Sequence, residues 1–522
     1  MAPKLPVIPE VERTPIVIQL LEVLRYQTEV IQTLRDEVAI LKRHKSKPKI
    51  KSSRLNEKDP KPGGKGKRPG SEKENKTEEL EIHQTEVVKA EDVPEGSEFK
   101  GYKNFIVQDL VINSHNTLYR MERWLTPDGV YVNGQLPSSV DGHFGSTLKS
   151  YILYQYHQCH VTQPLILEGL GEFGIEISAG QINNILIGER DVFHQEKAEV
   201  LVAGLAISSH VNVDDTGARH NGKNGYCTHI GSDLFAWFES TESKSRINFL
   251  ELLRAGRTDY VLNAESYDYM TAQKLPKNKI ELLEKELGKS FSNKEQWLAF
   301  LVKVGISEVR HIRIATEGAL IGSLLENGFN KDLVIVSDDA GQFNIFLHAL
   351  CWIHAERLIN KLVPYTEEQR KDLSSIRDQI WALYKELKHY KENPTVKWST
   401  TLTTQFDELF STKTCFTSLN LSLQRLQKNK KELLLVLKRP EIPLHNNASE
   451  NDIREYVKKR KISGGTRSPD GRKSRDTFTS LKKTCRKLGV SFWKFLNDRV
   501  SGENSIDSLP IIMWDRALTS TY

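Results

Sequence analysis

The sequence predicts an α/β protein built on a mixed sheet, and three observations predict it. Two apolar strands end in paired acids, ValAsnValAspAsp at 211–215 and IleValSerAspAsp at 335–339. Between them the chain reads strand, hairpin, strand and helix before the second acidic strand arrives. A third acid, Glu450, lies far downstream in HisAsnAsnAlaSerGluAsnAspIleArg, residues 445–454, on a predicted helix.

In chain order, residues 17–43 read as one helix. Leu24, Ile31 and Val38 fall at position a of a heptad, with Leu20, Leu34 and Leu41 at d and Gln27 as a polar d residue. That pattern favours a parallel two-stranded coil, hence a homodimer; an amphipathic helix packed on its own domain is the alternative. Residues 1–44 are taken as this coiled-coil helix. Residues 45–99 form a basic, then acidic linker too polar to bury a core. Residues 100–142 hold short β-like runs such as PheIleValGlnAspLeuValIle and GlyValTyrValAsnGly, read as a small β-rich region.

Residues 143–205 are helical. Within them a helix, a turn through Gly174 and a helix capped by Ser178 suggest a helix-turn-helix. Its second helix would offer Gln181, Asn183 and Asn184 to base edges, although an ordinary helical hairpin has the same pattern. Next come the strand over 207–217, the turn AsnGlyLysAsnGly at 221–225, strands at 226–231 and 234–238, and a helix at 244–254. This order, completed by the strand at 332–339, is that of a sheet of ribonuclease-H type. Residues 206–364 are its first part, with 260–330 as an insertion. Residues 365–444 read as a helical insertion, 445–500 return to the core with the Glu450 helix, and 501–522 are a tail.

Charge and cysteine usage narrow the function. The net charge is +6, but residues 42–70 carry twelve Lys and Arg against two acids, and 454–487 carry thirteen against three. Two separated basic blocks call for a polyanion, nucleic acid before a membrane surface. Five scattered cysteines without a CxxC exclude a disulfide framework. With no signal-type segment and no run of 18 apolar residues, a cytoplasmic, non-membrane protein is expected.

Three acids from two strand ends and a helix can hold two Mg²⁺ or Mn²⁺ ions for phosphodiester chemistry. Neighbours on a strand point to opposite faces, so one of Asp214 and Asp215, and one of Asp338 and Asp339, can serve. Periodicity does not choose between them. Asn446 or Asn447 would cap the Glu450 helix, and Arg454 and Lys458 follow Glu450 at steps of four. They continue into Lys461, Arg467, Arg472 and Lys473, a phosphate-gripping series. Cys351 and His354 form a CxxH that lacks the partners of a zinc site and is taken as structural or DNA-contacting.

These pieces resemble transposases of the insertion-sequence-66 family, within the DDE group. ValAsnValAspAspThrGly is similar to the family's first motif, which points to Asp214. SerAspAspAlaGlyGlnPheAsn resembles the second, and its Phe343 fits only with Asp338 as the ligand. CysTrpIleHisAlaGluArg is similar to the signature that follows, and AsnAsnAlaSerGluAsnAspIleArg to the last motif, which implies Glu450. The resemblance implies binding of double-stranded DNA at terminal repeats and target, nucleoid association, and small accessory proteins as partners. It also makes residues 100–142 a degenerate zinc-binding module, because that stretch has no cysteine, so zinc is not expected. Two other readings remain open: a non-catalytic DNA-binding protein of transposase descent, and a metal-dependent nuclease without strand transfer.

Overall fold

A computed structural model describes residues 81–519, apart from 92, 93, 138, 139 and 189, together with positions 17, 20, 24 and 27 further upstream. Those four upstream positions are helical; the remainder of the expected coiled coil, and the basic part of the linker, lie outside the described residues. The chain divides into two units, to Leu110 and from Val111. In the first, the described residues from 81 onward have no regular structure and are almost all exposed.

The second unit opens with a short hairpin, β1 (Arg123–Leu125) and β2 (Tyr131–Asn133), whose six residues are all exposed. The β-rich region expected over 100–142 thus reduces, among the described residues, to this hairpin. Its apolar residues have no second layer to pack against, and Phe105 is 89% exposed. Four helices follow: α1 (Ser146–His157), α2 (Gln163–Glu172), α3 (Ala179–Ile187) and α4 (Asp191–Ile207). Gly174 makes the turn between α2 and α3 with φ of 71°, a conformation that favours glycine. The Ser178 hydroxyl caps α3 by accepting from the Gln181 amide at 3.1 Å.

The sheet has five strands in the order β5-β4-β3-β8-β9. Strands β3 (His210–His220), β4 (Lys223–Gly231) and β5 (Ala236–Thr241) form an antiparallel meander. The β3–β4 turn is Asn221–Gly222 with φ of 49° and 74°, the pair of left-handed residues that a tight hairpin requires. β8 (Val334–Ser337) pairs parallel with β3, and β9 (Leu347–Leu350) parallel with β8. Such a mixed sheet, flanked by helices, is compatible with a ribonuclease-H-like core.

Between β5 and β8 lie α5 (Arg246–Leu253), the β6–β7 hairpin (Tyr260–Val261 with Ser290–Phe291), α6 (Ala264–Ala272), α7 (Lys277–Glu284), α8 (Lys294–Lys303) and α9 (Val309–Glu326). This segment shares the main core. Trp297 stacks on Tyr260 with centroids 5.8 Å apart, and its indole N–H donates to Thr316 at 3.0 Å. Gly322 of α9 lies so near β6 that a Cβ would fall onto the Val261 carbonyl oxygen. One apolar cluster joins α1 to α4, the sheet, α9 and the C-terminal helices. The helix pair α2–α3 therefore buries Ile166, Leu170, Ile182 and Ile185 in the common core.

After β9 come α10 (Trp352–Asn360) and the helices α11 (Glu367–Glu392), α12 (Val396–Ser411), α13 (Thr417–Lys428) and α14 (Lys430–Leu433). Trp352 anchors them, edge-on to Phe406 and donating to the Leu433 carbonyl at 2.9 Å. The chain then returns through α15 (Asn447–Ser463), α16 (Pro469–Lys487), α17 (Phe492–Ser501) and α18 (Leu509–Thr519). Helix α16 runs along the outer edge of β5. Asp476, Ser480 and Thr484 accept from the amides of Ser240, Phe238 and Ala236, at 2.8, 2.9 and 3.2 Å. No helix among the described residues is long and apolar enough to cross a membrane.

Candidate active site

Asp214 and Asp215 sit in mid-β3 and not at its end as expected, because the ladder with β4 continues past them to His220, and alternation turns them to opposite sides of the strand. Asp215 is engaged: it accepts from Thr228, its cross-strand partner, at 2.5 Å and from Gln342 at 2.9 Å. Asp214 Oδ1 accepts only a local bond, from the Asp215 amide at 2.8 Å. Burial, reinforced by the nearby Asp338, Asp215 and Glu450 carboxylates, pushes the Asp214 carboxyl up to about 7; the Asp215 amide opposes this.

Asp338 follows the last residue of β8. The parallel register pairs Asn212 with Val336, and two further residues along both strands bring the chain to Asp214 and Asp338. Asp338 Oδ1 accepts from the Ala340 amide at 3.1 Å, which fixes the turn. Asp339 points elsewhere, to Arg425 of α13, with contacts of 2.9 and 2.5 Å. The two members of each acid pair thus have different partners.

Glu450 lies on the first turn of α15, and the position of that helix is set from the sheet. Asn446 occupies the N-cap position, but its side chain makes no capping bond. It reaches instead across to β3, donating to the Val213 carbonyl and accepting from Asn212, both at 2.8 Å. Its backbone amide donates to the Cys351 sulfur at 3.2 Å. The expected cap is thereby replaced by a strand-to-helix staple. Asn447 is the first helical residue and half-buried. Buried His229, opposite Asp214 on β4, bonds Ser449 at 2.7 Å and lies 3.3 Å from Asp452. Lys483 and Lys487 pair with the same Asp452 at 3.0 and 2.9 Å.

The Glu450 carboxylate itself meets two arginines and a histidine. Arg357 is 3.1 Å away, His354 3.6 Å and Arg454 4.0 Å. Cys351 is buried, and burial pushes its thiol up to about 11, so it packs and accepts a hydrogen bond. His354 differs: it faces Glu450, and burial with Arg357 alongside lowers its pKa. Among the described residues, no group of three or more His, Cys, Asp or Glu side chains is arranged to hold a metal ion. This holds for Asp214, Asp338 and Glu450 as they are placed, no less than for Cys351 and His354. For Asp214, Asp338 and Glu450 the donor chemistry does fit Mg²⁺ or Mn²⁺, since all are hard carboxylate oxygens. Burial is the main cause that raises Asp214, and the neighbouring carboxylates that add to it are charges a cation would offset, while Glu450 is satisfied by arginine.

The basic run after Glu450 splits in two. Arg454, Lys458, Lys461, Arg467 and Lys473 are exposed and Arg472 is half-buried. Arg475, Lys482 and Lys483 are buried; Lys482 pairs with Glu455 at 2.9 Å, and Arg475 donates to the Gly464 carbonyl at 2.9 Å. On α3, Asn184 is exposed and Gln181 half-buried, while Asn183 accepts a long bond of 3.4 Å from Gln163.

Sequence reasoning missed Arg357, His229, Asn212, Thr228 and Gln342. Two were within reach. The Asn221–Gly222 turn fixes a register that places His229 opposite Asp214. Arg357 lies three residues after His354 on one helix, a spacing that shares a face.

Residues 317–474 match the family model described as Transposase IS66 family. The chain is also similar to the uncharacterized protein y4jO of Sinorhizobium fredii, 44% identical over 303 residues; the match covers 58% of this chain and 94% of that protein.

Proposed function

The chain belongs to the IS66 transposase family, and on that footing we propose that it cuts DNA at the ends of a mobile element and joins the freed ends to target DNA. Asp214, Asp338 and Glu450 are the catalytic carboxylates of this reading. The observation that carries it is the gathering of three acids from distant parts of the chain: the β3–β8 register brings Asp214 level with Asp338, and Asn446 ties the start of the Glu450 helix to the Val213 carbonyl beside Asp214. The strand order, with an antiparallel hairpin beside two parallel strands, supports a ribonuclease-H-like core for them.

The three carboxylates would hold two Mg²⁺ or Mn²⁺ ions, which when bound supply charge neutralisation and an activated water for phosphodiester chemistry. The remaining roles fall to the chain's own groups. Asn446 and His229 keep the Glu450 helix against the strand that bears Asp214. Asp215, engaged by Thr228 and Gln342, stabilises the hairpin instead of joining the site. The exposed Arg454, Lys458, Lys461, Arg467 and Lys473, with Arg472, bind backbone phosphates and fix the duplex in register. Gln181, Asn183 and Asn184 on α3 are positioned by the helix-turn-helix reading to meet base edges of the terminal repeats. A homodimer through the N-terminal heptads and small accessory proteins complete the proposal.

The test is a nicking assay on supercoiled plasmid with Mg²⁺ or Mn²⁺. Asp214→Asn, Asp338→Asn and Glu450→Gln should each abolish nicking and retain DNA binding. Normal nicking by all three variants would end the assignment. A pre-cut element end offered to target DNA separates a transposase, which joins it, from a nuclease, which does not.

A further inference from the structure

Glu450 is the one acid of the three held by a cation from another helix. Arg357 projects from α10 and donates through Nη1 to Glu450 Oε1 at 3.1 Å. The same Nη1 lies 3.2 Å from His354 Nε2, so the guanidinium bridges the histidine and the carboxylate. Arg454 approaches the other carboxylate oxygen at 4.0 Å. The Arg357 side chain is 43% exposed, so a ligand from solvent can reach it, whereas the Glu450 side chain is only 19% exposed. A guanidinium binds a carboxylate and a phosphate diester through the same forked N–H geometry. The two anions therefore compete for Arg357.

We propose that Arg357 is a latch, which keeps the Glu450 carboxylate engaged until a DNA phosphate takes the guanidinium and frees Glu450 to complete the cation-binding set with Asp214 and Asp338. This rests on the reading of the three acids given above. Arg357 is then a positioning residue acting through Glu450. The consequence is reciprocal coupling: phosphate at Arg357 favours the cation, and the cation favours phosphate at Arg357. An enzyme so built holds its metal poorly until DNA is in place, which limits stray cleavage.

The test measures Mn²⁺ binding to the full chain without DNA, by electron paramagnetic resonance titration, so that nucleic acid contributes no metal sites. Arg357→Gln should bind Mn²⁺ about tenfold more tightly than the unaltered protein. Arg357→Lys, which keeps the charge but lacks the fork, should fall between. Arg425→Gln, which removes an equal charge beside Asp339, should change Mn²⁺ affinity much less. Arg357→Gln should also weaken binding of a random-sequence duplex and reduce its salt slope by about 0.9, one phosphate contact. Unchanged or weaker Mn²⁺ affinity in Arg357→Gln overturns the latch, as does an equal gain in Arg425→Gln. A metal gain with an unchanged salt slope overturns the phosphate exchange. A gain that survives added Asp214→Asn overturns the reading of the carboxylates themselves.

Discussion

Replacing Asn446 by alanine should detach the Glu450 helix from the sheet. Asn446 is fully buried, and its amide spans from the N-terminus of α15 to β3 through two bonds of 2.8 Å. Each such bond contributes about 1 kcal/mol net, so alanine forfeits about 2 kcal/mol. The buried Asn212 amide, left without its acceptor, adds about 1 kcal/mol, for about 3 kcal/mol in all. The backbone bond to Cys351 survives the change, so the loop itself should keep its path. Asn446→Asp sharpens the test: it retains an acceptor for Asn212 but offers no donor to the Val213 carbonyl. If the staple is what matters, aspartate is at least as damaging as alanine. The assay pairs urea unfolding, followed by circular dichroism, with the plasmid nicking rate and duplex affinity. Stability and nicking should both fall while duplex affinity holds. An Asn446→Ala protein within about 0.5 kcal/mol of the parent, with normal nicking, would refute the reasoning.

Other outcomes follow from the same contacts. Glu455 is held well below the usual carboxylate range, first by its hydrogen bond with His160 and then by Lys482. A depressed folded pKa stabilises above the unfolded value of about 4.3, and that stability is lost as pH falls through the folded value. Glu455→Gln should therefore cost about 3 kcal/mol at neutral pH, since Lys482 stays buried, and the urea midpoints of the two proteins should begin to approach each other below about pH 4 and meet only where the folded carboxyl itself takes up a proton. Arg467→Ala and Lys473→Ala should each lower the slope of log affinity against log salt by about 0.9, whereas Lys483→Ala should shift the urea midpoint and leave that slope alone. Gly322→Ala forces a methyl onto the Val261 carbonyl and should destabilise by about 2 kcal/mol in the same unfolding assay.

The elements of the sheet were legible because their signals are local. The hairpin turn beginning at Asn221, the apolar run of β8 and the acids just after it all speak within a few residues, whereas the continuation of β3 past Asp214 and Asp215 depends on its pairing with β4. The choice within each acid pair was not local: Asp215 is withdrawn by Gln342, 127 positions away, and Asp339 by Arg425, 86 away. No periodicity carries such pairings, and the preference for Asp214 and Asp338 came from the motif resemblance alone. The same limit explains the basic run. Composition marked residues 454–487 as one polyanion-binding surface, yet Arg475, Lys482 and Lys483 turn inward to partners on α1, α15 and the loop before α16. For residues 100–142, β propensity was visible, but a strand needs a second surface to bury its face, and β1–β2 has only exposed residues.

The ladder between α16 and β5 has a consequence for chain length. Four residues of helix advance about 6 Å, and two residues of strand about 6.8 Å. Positions 476, 480 and 484 thus keep step with 240, 238 and 236 over two repeats, the helix running opposite to the strand. A single residue inserted between Asp476 and Thr484 would rotate everything beyond it by about 100° and move each later hydroxyl off its amide. Changes of size in this region must then come as loops before Pro469 or after Lys487, and α16 itself is a segment whose spelling can drift while its count cannot.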